Sequence, residues 1–291
     1  MGAFVEIYEV GPRDGLQNES TMIAAMDKIK LVDLLSKAGF KHIEVTSFVS
    51  PKWVPQMGDA AEVMAGIARE DEITYAVLTP NMRGFEGAVA AKANEVAIFG
   101  AASEGFSQKN INCSIAESLE RFAPVMVAAD EAQIPVRGYV SCVVACPYDG
   151  AIAPEHVRAV SEKLLEMGCY EISLGDTIGA GCPDDIKRLM EEMLKTIPAE
   201  KLAGHFHDTS GRAIENVDAA LEFGIKRFDA AAGGLGGCPY APGAKGNLAT
   251  MPLALHLKAK GYETGLDLDA LTAAEDFLAG LSFAPKAEKE S

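Results

Sequence analysis

Eight short runs rich in β-branched and apolar residues constrain this 291-residue chain more than anything else in it. They fall at positions 4–10, 42–46, 74–78, 95–99, 136–141, 170–174, 201–207 and 227–231. Between them lie stretches with helical periodicity, such as 22–38 and 114–132. The second places Ile115, Leu119, Phe122, Val125 and Met126 on one 3.6-residue stripe. Pro154 and Pro183 sit where helices should begin, the position at which a missing N–H costs nothing. A strand that returns through a helix must return parallel to its predecessor. Eight such units predict an α/β fold of the (β/α)8 TIM-barrel type rather than a doubly wound sheet. No linker or low-complexity stretch interrupts the alternation. The expectation is therefore a single barrel domain over 1–291, with the barrel at about 4–262 and a C-terminal helical extension near 266–281. The charged tail, 284–291, is expected to fray.

Composition narrows the partners. A net charge of −16 argues against nucleic acid and anionic membranes. No apolar run approaches the roughly 18 residues that a membrane span requires. The first residues lack a basic segment followed by an apolar one, so the expected location is the cytoplasm. None of the six cysteines forms a C-x-x-C pair, so reduced thiols are expected and a structural zinc site is not.

In a (β/α)8 barrel the chemistry lies in the loops after the strands. Those loops are where ionisable residues gather here. The first strand exits into Gly11-Pro12-Arg13-Asp14-Gly15-Leu16-Gln17-Asn18-Glu19, and the second carries Glu44 and runs into Ser47. The fifth contains Tyr139 and Ser141, and the sixth ends Ser173-Leu174-Gly175-Asp176-Thr177. The seventh brings His205 and His207, two imidazoles at i and i+2 that share one face of a strand. The eighth opens into a glycine-rich loop that contains Cys238 and leads to Asn247. That loop does not fit G-x-G-x-x-G, so it is no dinucleotide fingerprint.

Asp14, His205, His207 and Asn247 offer two oxygens and two nitrogens, a mixed set that suits Mg²⁺ or Mn²⁺ better than a closed zinc site. The bland readings are an Asx-type turn for Asp14 and helix caps for Asn247 and one of the histidines. Arg13 is a planar donor able to hold an oxyanion, and Glu44, within an apolar strand, is a candidate buried carboxylate to orient it. Asp176 is a candidate general base or a loop cap. Cys238, on a loop that glycines let close, is a candidate acid, base or nucleophile.

Several stretches resemble the hydroxymethylglutaryl-CoA lyase family: residues 11–19, 46–57 (TSFVSPKWVPQM), 109–114 (KNINCS), 137–142 (RGYVSC), 169–179 (CYEISLGDTIG) and 234–240 (GLGGCPY). The resemblance implies a retro-Claisen cleavage of (S)-3-hydroxy-3-methylglutaryl-CoA to acetyl-CoA and acetoacetate, as in leucine degradation, dependent on a divalent metal. It implies Asp14, His205, His207 and Asn247 as metal ligands. Arg13, Glu44, Asp176, His205 and Cys238 are the implied catalytic group, with Cys238 as proton donor to the acetyl-CoA carbanion. Arg13, Ser47, Tyr139, Ser173 and Asn110 are the expected substrate contacts. The expected partners are an acyl-CoA and further copies of the chain, as a homodimer or higher homo-oligomer. Two positions depart from the family pattern: Ser20, where many members carry Lys, and Met251-Pro252, where many carry Glu-Asp.

Three other readings compete. One is a lyase for a longer or branched 3-hydroxyglutaryl-CoA. Another is a condensing acyl-CoA/2-oxo acid synthase of the same superfamily, although those tend to have His-x-His-Asn-Asp where this chain has His-Phe-His-Asp-Thr. The third is a barrel that only binds CoA or metal, which the intact set Arg13, Asp14, His205, His207 and Cys238 disfavours.

Overall fold

The computed structural model describes residues 2–236 and 246–281. Its strands are β1 (Glu6–Glu9), β2 (His42–Ser47), β3 (Thr74–Leu78), β4 (Glu95–Ala101), β5 (Val136–Ser141), β6 (Ala145–Cys146), β7 (Gly150–Ala151), β8 (Glu171–Asp176), β9 (Leu202–Phe206) and β10 (Arg227–Ala230). Eight of them pair in parallel and close on themselves in the order β1-β10-β9-β8-β5-β4-β3-β2. The helices are α1 (Ala25–Ser36), α2 (Ala60–Gly66), α3 (Met82–Ala90), α4 (Glu104–Ile111), α5 (Ile115–Glu131), α6 (Pro154–Met167), α7 (Pro183–Met193), α8 (Ala213–Leu221), α9 (Thr250–Ala259) and α10 (Leu268–Gly280). The closed parallel barrel is the expected fold. The charged tail falls outside the described residues.

The apolar core lies between the strands and the helices, where side chains such as Ile7, Ile43, Leu174, Phe206 and Phe228 meet Leu31, Val125, Leu164 and Leu253. α10 packs on α1, burying Leu271, Ala274 and Leu278 and setting Lys30 over the Phe277 ring. Below the barrel the chain start is tied in. Val5 N–H donates to the Glu263 carbonyl at 2.9 Å, and Glu263 N–H donates to the Ala3 carbonyl at 3.1 Å.

Inside the barrel the picture differs from expectation. The strands' apolar composition predicts ionisable groups at the strand exits alone, yet Glu95, Arg137, Glu171 and Asp229 are buried below the exits, beside apolar inward residues such as Ala76, Leu78 and Ala97. Arg137 of β5 reaches Asp229 of β10 with Nη2 at 2.7 Å, across two intervening strands, which only a path through the interior allows. Likewise Tyr8 of β1 donates to Glu95 of β4 at 2.8 Å. Arg227 donates to Glu6 and also pairs with Glu171. Arg137, Glu171 and Asp229 are thus paired with opposite charge, which offsets the cost of their desolvation. Two further elements were not foreseen: the β6–β7 hairpin after β5 and the separate helix α4 after β4.

One buried carboxylate joins the loops at the barrel's upper rim. Glu9 Oε1 accepts from the Gly11 and Ala232 amides at 2.8 and 2.9 Å, and its Oε2 accepts from Thr250 Oγ1 at 2.7 Å. A Cβ at Gly11 would lie 2.5 Å from Glu9 Oε1, so only glycine permits this approach. Burial pushes the Glu9 carboxyl up to about 7 from its ordinary 4.5, against the pull of its three donors. The native state therefore keeps a proton that the unfolded chain releases between pH 4.5 and 7, and stability falls as pH rises through that window. Glu9→Gln keeps the shape with no proton to lose. Its unfolding free energy relative to the parent should rise by about 2 kcal/mol between pH 5.5 and 7.5, at about 1.4 kcal/mol per pKa unit. Urea denaturation of both proteins at the two pH values checks this. An unchanged difference would show that Glu9 does not titrate there.

Candidate metal centre and active site

β1 does not run into an ordinary turn. Residues Gly11–Gly15 form one wide helical turn, in which the Asp14 and Gly15 amides both reach back to the Val10 carbonyl, at 2.7 and 3.3 Å. Such wide turns concentrate at functional sites. Pro12 stands at its start, where its missing donor is not needed. The turn swings Arg13 and Asp14 over the barrel mouth. Arg13 is buried and its guanidinium pairs with Asp14 and with Glu44, whose Oε2 accepts from Nε at 2.6 Å. Glu44 Oε2 also accepts from the Tyr139 hydroxyl at 3.1 Å, and the Tyr139 ring centroid lies 5.3 Å from Arg13 Cζ. A register shift between Glu44 and Thr46 marks a bulge in β2 beside this carboxylate. Against burial, Glu44 and Asp14 hold the Arg13 guanidinium firmly charged.

His205 lies on β9 and His207 just beyond it, and both rings face the mouth. Their Nε2 atoms are 3.3 Å apart, and His205 Nε2 is 3.9 Å from Asp14 Oδ2. One donor atom from each of Asp14, His205 and His207 lies within 4.8 Å of the other two. Residues 246–248 run antiparallel beside the end of β9 and bring Asn247 against His207. Asn247 Nδ2 donates to Asp14 Oδ2 at 2.8 Å and to the Leu235 carbonyl at 3.2 Å. A Cβ at Gly236, whose φ is +99°, would come within 2.6 Å of that amide nitrogen. Burial first, then the neighbouring His205, pushes His207 down to about 4, so it is a neutral imidazole at pH 7. Burial works against ionisation of Asp14, yet Arg13 and the two imidazoles hold it at about 2. A carboxylate and ring nitrogens converging on one space fit a divalent cation by donor chemistry.

A family model described as HMGL-like matches residues 4–278. The chain belongs to the HMGL-like family. It is 56% identical over 270 residues to the 3-hydroxy-3-isohexenylglutaryl-CoA/hydroxy-methylglutaryl-CoA lyase of Pseudomonas aeruginosa, covering 93% of this chain and 90% of that one. It is 56% identical over 274 residues to the mitochondrial hydroxymethylglutaryl-CoA lyase of Homo sapiens, covering 94% and 84%. The crystal structure of the HMG-CoA lyase from Brucella melitensis superposes with a TM-score of 0.94 at 55% identity, covering 95% and 98%.

Within this HMGL-like barrel the expected site residues are placed unevenly. Arg13, Asp14, Glu44, Tyr139, His205, His207 and Asn247 come together. Neither histidine caps α8, whose Ala213 amide donates instead to Asp208 at 3.1 Å, and Asn247 bonds Asp14 rather than capping α9. Asp176 ends β8 with its carboxylate accepting from the Ala180 and Gly181 amides at 3.2 and 2.9 Å, and burial raises its pKa. Ser47 and Ser173 are fully buried, their hydroxyls directed to the Leu78 carbonyl and to Asp229. Asn110 is exposed near the end of α4. Cys238 lies outside the described residues. Sequence reasoning missed Arg137 and Asp229. The signal was present: Arg137-Gly-Tyr139 and Arg227-Phe-Asp229 put polar groups at i and i+2 on one face of strands expected to be apolar on both.

Removing one partner of a buried ion pair leaves the other charge uncompensated, at about 3–5 kcal/mol. Glu44→Ala should reach the lower end, about 3 kcal/mol, because Asp14 still faces the Arg13 guanidinium. Chemical denaturation at pH 7 measures it. A loss below about 1 kcal/mol, the range of exposed pairs, would show that the Glu44–Arg13 pair is effectively solvated.

Proposed function

We propose that this barrel cleaves (S)-3-hydroxy-3-methylglutaryl-CoA to acetyl-CoA and acetoacetate in the cytoplasm, using Mg²⁺ or Mn²⁺ held by Asp14, His205, His207 and Asn247. The observation that carries the reading is the convergence of Asp14, His205 and His207 beside a buried Arg13. A divalent ion bound there supplies a Lewis acid that lowers the pKa of the substrate's tertiary hydroxyl. Family membership and the names of the relatives support the substrate class. Four buried free thiols, Cys113, Cys142, Cys146 and Cys169, are in keeping with a reducing compartment.

The residues divide the work as follows. Asp176, its pKa raised by burial, accepts the C3 hydroxyl proton. As the C3 oxygen becomes a carbonyl, the C2–C3 bond breaks and its electron pair moves into the thioester as an enolate. Arg13 stabilises that enolate oxygen from a guanidinium already fixed by Glu44, Asp14 and Tyr139, so no reorganisation accompanies the charge. Cys238 then gives a proton to C2, which completes acetyl-CoA and leaves acetoacetate.

A second reading has one finding in its favour: the Pseudomonas aeruginosa relative is named for an isohexenyl substrate as well as the methyl one. Comparing kcat/KM for HMG-CoA and a long-chain analogue decides which side chain the site prefers.

Chelation should abolish acetoacetate formation from HMG-CoA, and Mg²⁺ or Mn²⁺ should restore it. Full turnover by demonstrably metal-free protein would overturn the metal role. Arg13→Lys keeps the charge but loses the forked donor, so kcat should fall by about 10²-fold with little change in KM. A pure KM effect would place Arg13 in CoA binding. Cys238→Ser should keep metal binding and lose most of kcat, because a hydroxyl is a far weaker acid than a thiol. Parental turnover by Cys238→Ser would move the proton donor elsewhere.

A further inference from the structure

An imidazole that ligates a cation through one nitrogen must carry its hydrogen on the other. For His205 the structure decides which. Its Nδ1 lies 3.0 Å from Asp229 Oδ2, and an ionised carboxylate can only accept. Nδ1 therefore carries the hydrogen, and the Nε2 lone pair faces His207 Nε2 and Asp14 Oδ2.

Asp229 has no freedom to turn away. Arg137 grips both of its oxygens, Nη2 to Oδ1 at 2.7 Å and Nη1 to Oδ2 at 3.1 Å, and Ser173 Oγ donates to Oδ2 at 2.7 Å. Arg137 is itself locked, with Nε donating to Glu171 at 2.8 Å and its Cζ 4.1 Å from the Tyr8 ring centroid. The second imidazole lacks such support: among the described residues, His207 Nδ1 is buried without a hydrogen-bond partner. The cluster thus has one ligand ring fixed by a protein acceptor and one that is not.

We infer that Asp229 is a positioning residue of the metal centre, fixing the tautomer and the plane of His205 through the Nδ1–H bond. This rests on reading Asp14, His205 and His207 as the cation site. Ser173 then acts as a hydroxyl that steadies Asp229 rather than as a substrate contact.

Asp229→Asn keeps the size of the side chain but turns one oxygen into a donor, which no longer enforces the Nδ1–H tautomer. Mn²⁺ affinity, read from the free-ion EPR signal during titration of metal-stripped protein, should fall at least about tenfold, in the range of losses at outer-shell partners of metal ligands. Thermal unfolding in EDTA separates this from general damage. Parental Mn²⁺ affinity in a variant of any stability would overturn the role. Should Asp229→Asn not fold, the wild-type protein still decides. With Mg²⁺ bound and its histidines ¹⁵N-labelled, the ring signal assigned by its loss in His205→Gln should show the hydrogen on Nδ1, and hydrogen on Nε2 would overturn the inference. Wild-type protein that binds no Mn²⁺ overturns both this inference and the metal-site reading, whereas binding by the wild type with no loss in Asp229→Asn overturns the positioning role alone.

Discussion

A fully buried guanidinium with a carboxylate on each side is the interaction on which this barrel depends. Arg137 sits between Glu171 and Asp229, against the rings of Tyr8 and Tyr139. Without it, Glu171 would keep Arg227, but the buried Asp229 would lose its guanidinium partner, at several kcal/mol for a buried charge left without its counter-ion. With it, Asp229 is held well below the usual carboxylate range although burial opposes its ionisation. The same cation donates to Tyr139, whose hydroxyl goes on to Glu44 and thereby to Arg13. The strand framework and the loop chemistry are thus one electrostatic structure.

This arrangement also bears on the acidity of the chain. The chain carries −16 overall, but much of its interior acid is neutralised in pairs below the mouth: Glu6 and Glu171 by Arg227, and Asp229 by Arg137. At the mouth, Arg13 stays charged between Asp14 and Glu44, so its role is to direct a fixed donor at one oxygen rather than to supply a net positive field. Local placement, rather than net charge, sets what the site attracts.

The fold was legible because parallel strands with intervening helices leave a strong periodic record. Positions 74–78 and 136–141 are strands as read. Errors cluster where periodicity is short or overridden. β1 is shorter than its apolar run, because Phe4 bridges to Glu263 and Val10 already caps the wide turn. Lys201 closes a turn over 199–201 rather than opening β9, which begins at Leu202. β6 and β7 span two residues each, too few to show a period, and α4 is polar with Phe106 and Ser107 as its buried positions. At the site, the turn chemistry of Arg13-Asp14 and the strand spacing of His205 and His207 were readable because both are local. Asp229 and Arg137 were not, since their meaning depends on a contact between residues 92 apart in sequence.

The tie between residues 3–5 and Glu263 has a practical consequence. It lies under the barrel, ahead of the first residue of β1, whereas Arg13, Asp14 and both histidines sit beyond the opposite ends of the strands. The length of the barrel therefore separates the start of the described chain from the chemistry. A label, fusion partner or solid support joined there would leave by the rear face, with the mouth still open to solution. An attachment that pulled residues 3–5 away from Glu263 would instead loosen the connection between α9 and α10, whose Glu275 accepts from the Gly233 amide at 3.0 Å at the base of the glycine-rich loop.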